Sequence, residues 1–325
     1  MREDVRHWLT HRTYHARIWS PGELADAKRR QNTTVSVVLP ALNEERTVGA
    51  VVEAFRTTLL DKTPLIDELV VALDPGCTDG TAERARAAGA RVVDCREVLS
   101  HRGVYTGKGE TLWKSLFVTT GDLLVFVDAD LVEFGPHFVT GLLGPLLIEP
   151  GVQFVKACYD RPLVTGGVAP VGGGRVTELA ARPLLNLYWP ALAGVIQPLS
   201  GEFAARRTVL ELLPFPRGYG LEIGLLIDVL DLAGLDALAQ VDLGRRDHRH
   251  QQDSALGTMA QEVLHTALRR LDGRAAVPAP ATTLCQFERD GGGHRAVERT
   301  VCLEERPPAR SLPEYHARGR LTWVR

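Results

Sequence analysis

The sequence predicts an α/β protein whose core is a parallel, doubly wound sheet with helices on both faces. Three observations lead to this prediction. Strand-like apolar runs alternate with helical patterns over the first 130 residues, as expected of βαβ units. The run Leu123–Val127 is apolar throughout, which is typical of a strand buried on both faces. Two carboxylates, Asp128 and Asp130, follow that run, and open sheets of this class bind ligands at the carboxyl ends of strands.

The first half of the chain is predicted to contain four strands. Ser20 and Glu23 form a capping-box pattern around a proline, which predicts a short helix ending near Arg30. Beyond it we predict a strand at Thr34–Leu39 stopped by Pro40, a helix at Glu45–Leu60, a strand at Glu68–Leu73, a helix at Thr81–Ala88, a strand at Arg91–Asp94, a helix within Gly107–Thr119 and the strand that leads into Asp128.

The second half alternates less regularly. We predict a strand at Val152–Tyr159, a helix at Val176–Leu187, a strongly apolar helix at Leu221–Leu232 and a strand at Leu238–Leu243. Residues from about 273 onward mix proline, glycine and arginine with little periodicity. This composition predicts a loosely structured tail or a contact between subunits.

The composition argues against several classes of function. The chain has 325 residues, 45% of them hydrophobic and 24% charged, so a large α/β domain can bury a sizeable core. A formal net charge of -2 offers no single-sign field for nucleic acid or a membrane surface. The five cysteines contain no CxxC pair, which argues against a zinc cluster or a disulfide framework. The sequence shows no membrane span and no signal-peptide core, so we expect a soluble, cytoplasmic protein.

Asp128 and Asp130 are the first candidates for chemistry. Residues at i and i+2 of an extended chain share a face, so both carboxylates are expected on one side. Two acids at the end of a buried strand are costly unless a cation neutralises them. A hard divalent ion that bridges protein carboxylates to substrate phosphates is the usual solution. We interpret the pair as a metal–diphosphate site, although an ordinary strand-end turn explains an Asp-x-Asp equally well on local evidence.

Polar segments follow other predicted strands as well. Pro40–Glu45 and Asp74–Gly80 would line a nucleotide pocket at the same edge of the sheet. A helix start capped by Asn43 and a surface turn are the structural alternatives. Lys108 lies between two glycines before a predicted helix, which suits a point-charge contact to phosphate, although a lone lysine is more often simply solvated. The spacing of a P-loop is missing there.

Three later segments complete the candidates. The run Gly172–Gly174 precedes a predicted helix that starts with Arg175 and Thr177, and these features favour an anion site over a flexible linker. Glu222 lies among apolar residues, so it needs a partner, either a substrate hydroxyl or a core neighbour. Arg245–His250 combines arginines that suit phosphate with imidazoles that can complete a metal site, and a solvated basic face is the alternative.

Taken together, these motifs resemble the GT-A type glycosyltransferases, which bind nucleotide-sugars with a strand-end Asp-x-Asp and a divalent metal. The chain is more specifically similar to the family of glucosyl-3-phosphoglycerate synthases, in order, from about residue 34 to 270. The segments that are similar are Pro40–Glu45, Gly107–Glu110, Gly172–Leu179, Gln197–Glu202 and Gly218–Asp228.

This resemblance implies a retaining transfer of glucose from a nucleoside diphosphate to the 2-hydroxyl of 3-phosphoglycerate, with Mg²⁺ or alternatively Mn²⁺ as cofactor and a homodimer as the assembly. It implies donor contacts by Pro40, Ala41, Leu42, Asn43, Glu44, Lys108, Asp128, Ala129 and Arg246. It implies acceptor contacts by Gly174, Arg175, Thr177 and His250, and metal ligation by Asp130 and His248. Glu222, the Leu199 backbone and Arg175 would then lie at the reacting centre.

The resemblance also bears on mechanism and organisation. No spacing in the sequence identifies a carboxylate nucleophile, so the family implies a front-face displacement in which the leaving phosphate acts as base. Its parts would be an extension at 1–33, a nucleotide-sugar-binding part at 34–150, an acceptor-binding part at 151–272 and a tail or oligomer contact at 273–325. Pro75, Cys77 and Ala129 differ from the residues usual in the family, which leaves UDP and GDP open as the donor base. His250 also differs, which leaves the contacts to the acceptor open.

Three alternatives stay open from sequence. A mannosyl-3-phosphoglycerate synthase of the same family would use GDP-mannose. A non-catalytic nucleotide-sugar sensor would bind donor without turnover, and the acceptor set argues against it. A nucleotidyltransferase on a similar sheet would release pyrophosphate, but it normally carries a basic, glycine-rich loop where this chain has the acidic Asn43–Glu45.

Overall fold

The computed structural model describes residues 1–132, 134–160, 174–245, 253–271, 283–290 and 293–317. Within these ranges the chain forms an eight-stranded mixed sheet with helices on both sides. A hairpin and a short two-stranded pair lie outside that sheet. No helix in the described part of the chain is both long and apolar enough to cross a bilayer.

The strands are β1 (Thr13–His15), β2 (Val35–Ala41), β3 (Glu68–Leu73), β4 (Arg91–Asp94), β5 (Leu123–Phe126), β6 (Phe154–Asp160), β7 (Phe203–Arg206), β8 (Phe215–Pro216), β9 (Leu238–Arg245), β10 (Thr283–Asp290), β11 (Gly293–Thr300) and β12 (Glu305–Arg306). The helices are α1 (Glu3–His11), α2 (Pro21–Gln31), α3 (Val48–Phe55), α4 (Thr81–Ala87), α5 (Lys108–Val118), α6 (His137–Ile148), α7 (Arg182–Tyr188), α8 (Arg207–Leu210), α9 (Leu221–Ala233), α10 (Asp253–Leu268) and α11 (Pro313–Ala317). Short 3₁₀ turns lie at Ser100–Arg102, Pro190–Gly194, Leu235–Ala237 and Ala309–Ser311.

The strand order of the main sheet is β1-β9-β6-β7-β5-β2-β3-β4. Every neighbouring pair is parallel except those made by β7, which runs antiparallel to both β5 and β6. The predicted doubly wound sheet is therefore confirmed, but a wholly parallel sheet is wrong at β7. This strand has only four residues, Phe-Ala-Ala-Arg, so it carries little of the branched and aromatic signal that identifies strands.

β5 is buried on both faces, as its apolar run predicts. Leu124 and Phe126 belong to one core cluster, together with Trp113 of α5. Leu123 and Val125 belong to the cluster on the other face. Because both faces are covered, the carboxyl end of β5 is the point where this strand meets polar groups and solvent.

The prediction that Pro40 stops the first strand is wrong, because β2 continues through Pro40 to Ala41. Val38 accepts a hydrogen bond from the Val127 amide at 3.2 Å, so its backbone points towards β5. Pro40 lies two residues further and points the same way, past the last β5 residue that pairs with β2, Phe126. Its missing N–H therefore falls where no strand pairing is needed.

Two predicted helices begin or end in π-helical turns. α3 is continued by a π-helical segment at Arg56–Lys62, and α7 is preceded by another at Thr177–Ala181. The capping box of α2 is confirmed, since the Ser20 amide donates to Glu23 Oε2 at 2.9 Å and the Glu23 amide donates to Ser20 Oγ at 3.3 Å. A helix over Asp253–Leu268 was not predicted.

The expectation of little regular structure after residue 273 is wrong for the described residues. β10 and β11 form an antiparallel hairpin, and β12 pairs with β8. The side chain of Arg306 in β12 forms two hydrogen bonds, at 2.6 and 2.7 Å, to the buried carboxylate of Glu110 in α5. At the other end of the chain, β1 pairs with β9 at the edge of the main sheet. The division of the chain into four functional parts stays a prediction.

Candidate active site

A cluster of charged side chains lies beyond the carboxyl end of β5. Lys108, the first residue of α5, places its ammonium nitrogen 2.5 Å from Asp128 Oδ1 and 3.6 Å from Glu222 Oε1. The same nitrogen donates to the Gly201 carbonyl at 3.0 Å. Three segments that are far apart in sequence therefore meet at one ammonium group.

Gly201 is required for this close approach. An added Cβ at this position would lie 2.5 Å from Asp128 Oδ2 and 2.6 Å from the Lys108 nitrogen. Any larger residue would displace one of the two charged groups. The loop that carries Gly201 is therefore an integral part of the cluster.

The loop at residues 197–202, which contacts Lys108 through Gly201, is also hydrogen-bonded to β6. The Gln197 amide group donates to the Tyr159 carbonyl, and the Tyr159 amide donates back to Gln197 Oε1 at 3.2 Å. Ser200 Oγ donates to the Ala157 carbonyl at 2.6 Å. Leu199 lies between these anchors and is half-buried against the core.

The surrounding carboxylates keep the Lys108 ammonium charged. Burial alone would lower its pKa, but the charges of Asp128, Glu222 and Glu202 outweigh that effect and raise the pKa above its usual value. Lys156, a second lysine in the same neighbourhood, is only 2% exposed. Its burial, reinforced by the charge of Lys108, lowers the pKa of Lys156 to about 8.

The loop after β2 is held in a fixed shape. Asn43 has a left-handed backbone (φ 58°), which asparagine tolerates better than most residues. Its side-chain oxygen accepts from the Thr78 amide at 2.8 Å, and the Glu44 amide donates to Thr81 Oγ1 at 2.8 Å. Leu42 is exposed beside this turn. The predicted donor segment therefore has an ordered, accessible backbone.

Asp74 links the end of β3 to the residue before Lys108. Its Oδ2 accepts from the Gly107 amide at 2.6 Å, and its own amide donates to the Ala41 carbonyl at 2.9 Å. Gly107 has φ 122°, a conformation that favours glycine. Asp74 thus fixes the segment before Lys108 relative to the end of β2, through its carboxylate on one side and its amide on the other.

Asp130 is exposed at the end of the β5 segment, and the intervening Ala129 is buried. The two aspartates supply the hard oxygen donors that a divalent cation prefers. The described residues hold no group of three or more candidate ligands. Metal ligation by Asp130 therefore stays a prediction.

The predicted acceptor segment lies before α7. Gly174 accepts from the Glu178 amide at 3.1 Å, Arg175 is exposed, and Thr177 is only 5% exposed. Val176, between them, packs in the same core cluster as Leu221 at the start of α9. The remaining predicted site residues, Arg246, His248 and His250, and the glycines at 172 and 173 lie outside the described residues.

Sequence reasoning missed Lys156 and Glu202 as members of this cluster. Both are almost completely buried, at 2% and 0% exposure. The available signal was a lysine within the apolar strand Val152–Tyr159, because a charged group in a buried strand requires specific partners. The position of Glu202 depends on β7, which was not predicted.

Comparison with known proteins shows which family has this architecture. Residues 36–166 match the glycosyl transferase family 2 model. Glucosyl-3-phosphoglycerate synthase from Mycobacterium tuberculosis is 49% identical over 307 residues, covering 92% of each chain. The protein of that name from Petrotoga mobilis is 42% identical over 306 residues, covering 93% of this chain and 94% of that one.

Solved structures give the same result. The M. tuberculosis enzyme in complex with Mn²⁺, UDP and phosphoglyceric acid superimposes with a TM-score of 0.81 at 46% identity, covering 92% of this chain and 98% of that chain. Mannosyl-3-phosphoglycerate synthase from Rubrobacter xylanophilus gives a TM-score of 0.86 at 41% identity, covering 95% and 98%. From this identity over most of both chains, the protein belongs to the glucosyl-3-phosphoglycerate synthase family of GT-A glycosyltransferases.

Proposed function

We propose that this chain transfers glucose from UDP-glucose to the 2-hydroxyl of 3-phosphoglycerate, giving glucosyl-3-phosphoglycerate. The observation that carries the proposal is the Lys108–Asp128–Glu222 cluster at the carboxyl end of β5, in a chain 49% identical to an enzyme of that name. The M. tuberculosis relative has been solved with UDP-glucose and phosphoglyceric acid. We propose glucose rather than mannose as the transferred sugar because the chain is 46% identical to the solved glucosyl enzyme and 41% identical to the solved mannosyl enzyme.

The donor diphosphate would be bound at the Lys108 end of the cluster. The ammonium group stays protonated because its neighbours raise its pKa, so it can neutralise charge that develops on the leaving diphosphate. The ordered backbone at 40–44 and Asp128 would contact the base, ribose and sugar of the donor. Mg²⁺ or Mn²⁺, which relatives bind together with UDP, would be held by Asp130 and His248 and would supply further charge neutralisation.

The acceptor is a small anion with a carboxylate and a phosphate. Arg175 offers up to five N–H donors in a planar fork that matches such groups. It lies at the start of the helical segment before α7 and is exposed, so its side chain is accessible to a ligand. Thr177 and Gly174 would complete the acceptor contacts.

The ion pairs of the carboxylates bear on which retaining route is used, a front-face displacement or a double displacement through a covalent intermediate. Asp128 lies in contact with the Lys108 ammonium and Glu222 lies 3.6 Å from it, and a neighbouring cation stabilises a carboxylate in its charged form, which makes it a weaker base and nucleophile. This supports a front-face displacement. The bond from the anomeric carbon to the diphosphate breaks, the bond to the acceptor oxygen forms on the same face, and the acceptor proton moves to the leaving phosphate.

The proposal is tested with a panel of UDP- and GDP-linked glucose and mannose, each assayed with 3-phosphoglycerate and Mg²⁺. We expect the highest turnover with UDP-glucose, and release of UDP only when acceptor and metal are both present. Higher turnover with GDP-mannose would assign the mannosyl activity. Binding of UDP-glucose without turnover on any phosphorylated acceptor would assign the sensor.

Arg175→Ala is expected to raise the KM for 3-phosphoglycerate by about 10- to 100-fold, because an Arg–carboxylate or Arg–phosphate contact is charge-assisted. The KM for the sugar donor should change less than about twofold, since the proposed donor contacts lie elsewhere. Steady-state kinetics with each substrate varied in turn measures both constants. Arg30→Ala, at an exposed arginine of α2, is the control and should change neither. An equal rise in both KM values would place Arg175 outside the acceptor site.

A homodimer in the cytoplasm is the assembly and location that we propose. Apolar side chains near the acceptor segment are unusually exposed, with Leu179 at 79% and Leu187 at 74%, and such patches mark association sites. No disulfide joins the cysteines of the described residues, which suits a reducing compartment. Light scattering should give twice the chain mass of 35.6 kDa, and Leu187→Asp should reduce it to the monomer mass. A monomeric wild-type protein would contradict the dimer.

A further inference from the structure

Lys156 is a buried cation that the catalytic scheme above does not use. It lies on β6 between β7 and β9, and only 2% of its surface is exposed. Its ammonium nitrogen donates to the Ser200 carbonyl and lies 5.5 Å from the centre of the Phe203 ring. Removing a lysine ammonium from water is costly unless it is paired and hydrogen-bonded. Its partners in the middle of the sheet therefore need an explanation.

The Ser200 carbonyl is one of two consecutive carbonyls held by lysines. The next one, on Gly201, accepts from the Lys108 ammonium at 3.0 Å. The two peptide groups are therefore held by two separate cations, one from β6 and one from α5. This arrangement fixes the orientation of the loop from Leu199 to Glu202 more firmly than a single contact would, because each peptide plane has its own donor.

The other anchors of this loop are neutral. Ser200 Oγ and the Gln197 side chain bind to backbone groups of β6. They hold the loop to the sheet but do not act on the carboxylates next to Lys108. Lys156 holds the loop through the Ser200 carbonyl, and the charges of Glu222, Glu202 and Asp128 partly offset the lowering of its pKa by burial. Lys108 and Lys156 are thus two positive charges that act on the same three carboxylates.

We infer that Lys156 is a positioning residue for glucosyl transfer, which orients the Leu199–Glu202 loop through the Ser200 carbonyl and balances the carboxylates beneath the reacting centre. The inference rests on the proposed function for the location of that centre. Lys156 does not contact substrate in this scheme. It sets the position of the Leu199–Glu202 loop, and its charge acts on Glu222, which would face the sugar and the acceptor.

The role predicts a specific kinetic effect. In Lys156→Met the Ser200 carbonyl loses its donor and the carboxylates lose a neighbouring cation, so alignment in the transition state should suffer. Donor and acceptor would still bind through other groups. We expect kcat to fall by about 10- to 100-fold while both KM values and the calorimetric Kd for UDP-glucose change less than about threefold.

Lys114 provides the matched control. It is also a fully buried lysine, at 0% exposure, and its ammonium donates to a backbone carbonyl, that of Cys95, at 2.7 Å. Lys114→Met removes the same kind of contact next to β4, the strand at the edge of the main sheet, whereas Lys156 lies on β6. Both variants should have a lower melting temperature, but only Lys156→Met should lose turnover.

The test uses the donor and acceptor that the wild-type protein turns over best. A wild-type protein without transfer would reject the proposed function, whereas the inference fails separately if Lys156→Met keeps wild-type kcat or loses no more than Lys114→Met. Lys156→Gln is a second neutral variant and should show the same loss of kcat if the methionine variant does not fold. Failure of both Lys156 variants to fold, with Lys114→Met folded, would assign Lys156 to stability alone and overturn the inference.

Discussion

Replacing Lys108 with methionine is expected to lower kcat by about 10²- to 10³-fold, the range seen when one preorganised charge-stabilising donor is removed from an active site. The ammonium contacts Asp128, Glu222 and the Gly201 carbonyl, so its loss frees three groups at once. Without this cation, the carboxylates would repel the leaving diphosphate. Stopped-time assays of UDP release at saturating substrates measure the change.

The sign of the pH dependence follows from the same contacts. The neighbouring carboxylates raise the pKa of Lys108, so the lysine stays charged throughout the neutral range and should not cause a loss of activity there.

Lys28→Met is the control for Lys108→Met, since Lys28 also pairs with an aspartate, Asp67, at 2.7 Å but lies on α2. This variant should lower stability and leave kcat unchanged. A Lys108→Met protein with more than half of wild-type kcat would contradict the assignment.

Asp130→Ala is expected to have the largest effect on the metal requirement. We predict a loss of about 10³-fold in kcat/KM at limiting Mg²⁺, because a divalent ion supplies several kcal/mol of charge stabilisation to a leaving diphosphate. Part of the activity should return at high metal concentration, since the diphosphate brings ligands of its own. Activity measured over a Mg²⁺ titration gives the apparent activation constant.

A binding measurement separates this role from a general defect. In the wild-type protein, Mn²⁺ should tighten UDP binding in calorimetry, and in Asp130→Ala that gain should disappear while metal-free UDP binding stays the same. Asp26→Ala, at an exposed aspartate of α2, is the control and should keep the gain. Full metal-dependent tightening in Asp130→Ala would show that the cation is held by other residues.

Local sequence signals predicted the features that depend on neighbouring residues. The capping box of Ser20 and Glu23 and the buried run Leu123–Phe126 were both recognisable because capping and burial on two faces leave short-range patterns. Lys108 and Asp128 were both predicted as donor contacts, but the contact between them was not predicted. Their meeting follows from the order of strands, because both lie at the same edge of the sheet.

Features that depend on distant partners were not predicted. β7 is recognisable as a strand only from its two antiparallel neighbours, and the hairpin of β10 and β11 pairs residues of low apolar content. Pro40 was misjudged because its tolerance depends on where the neighbouring β5 ends. Lys156 was missed because its partner is a backbone carbonyl 44 positions away, and a carbonyl leaves no trace in the sequence.

The most direct test of the account is the structure of the product made from UDP-glucose, 3-phosphoglycerate and Mg²⁺, determined by proton and carbon NMR. The account predicts a single glucoside that is joined to the 2-hydroxyl of 3-phosphoglycerate and has the α configuration of the donor. A β-linked product would contradict the front-face displacement supported by the ion-paired carboxylates around Lys108. Free glucose, with no glucoside formed, would contradict the proposed transfer itself.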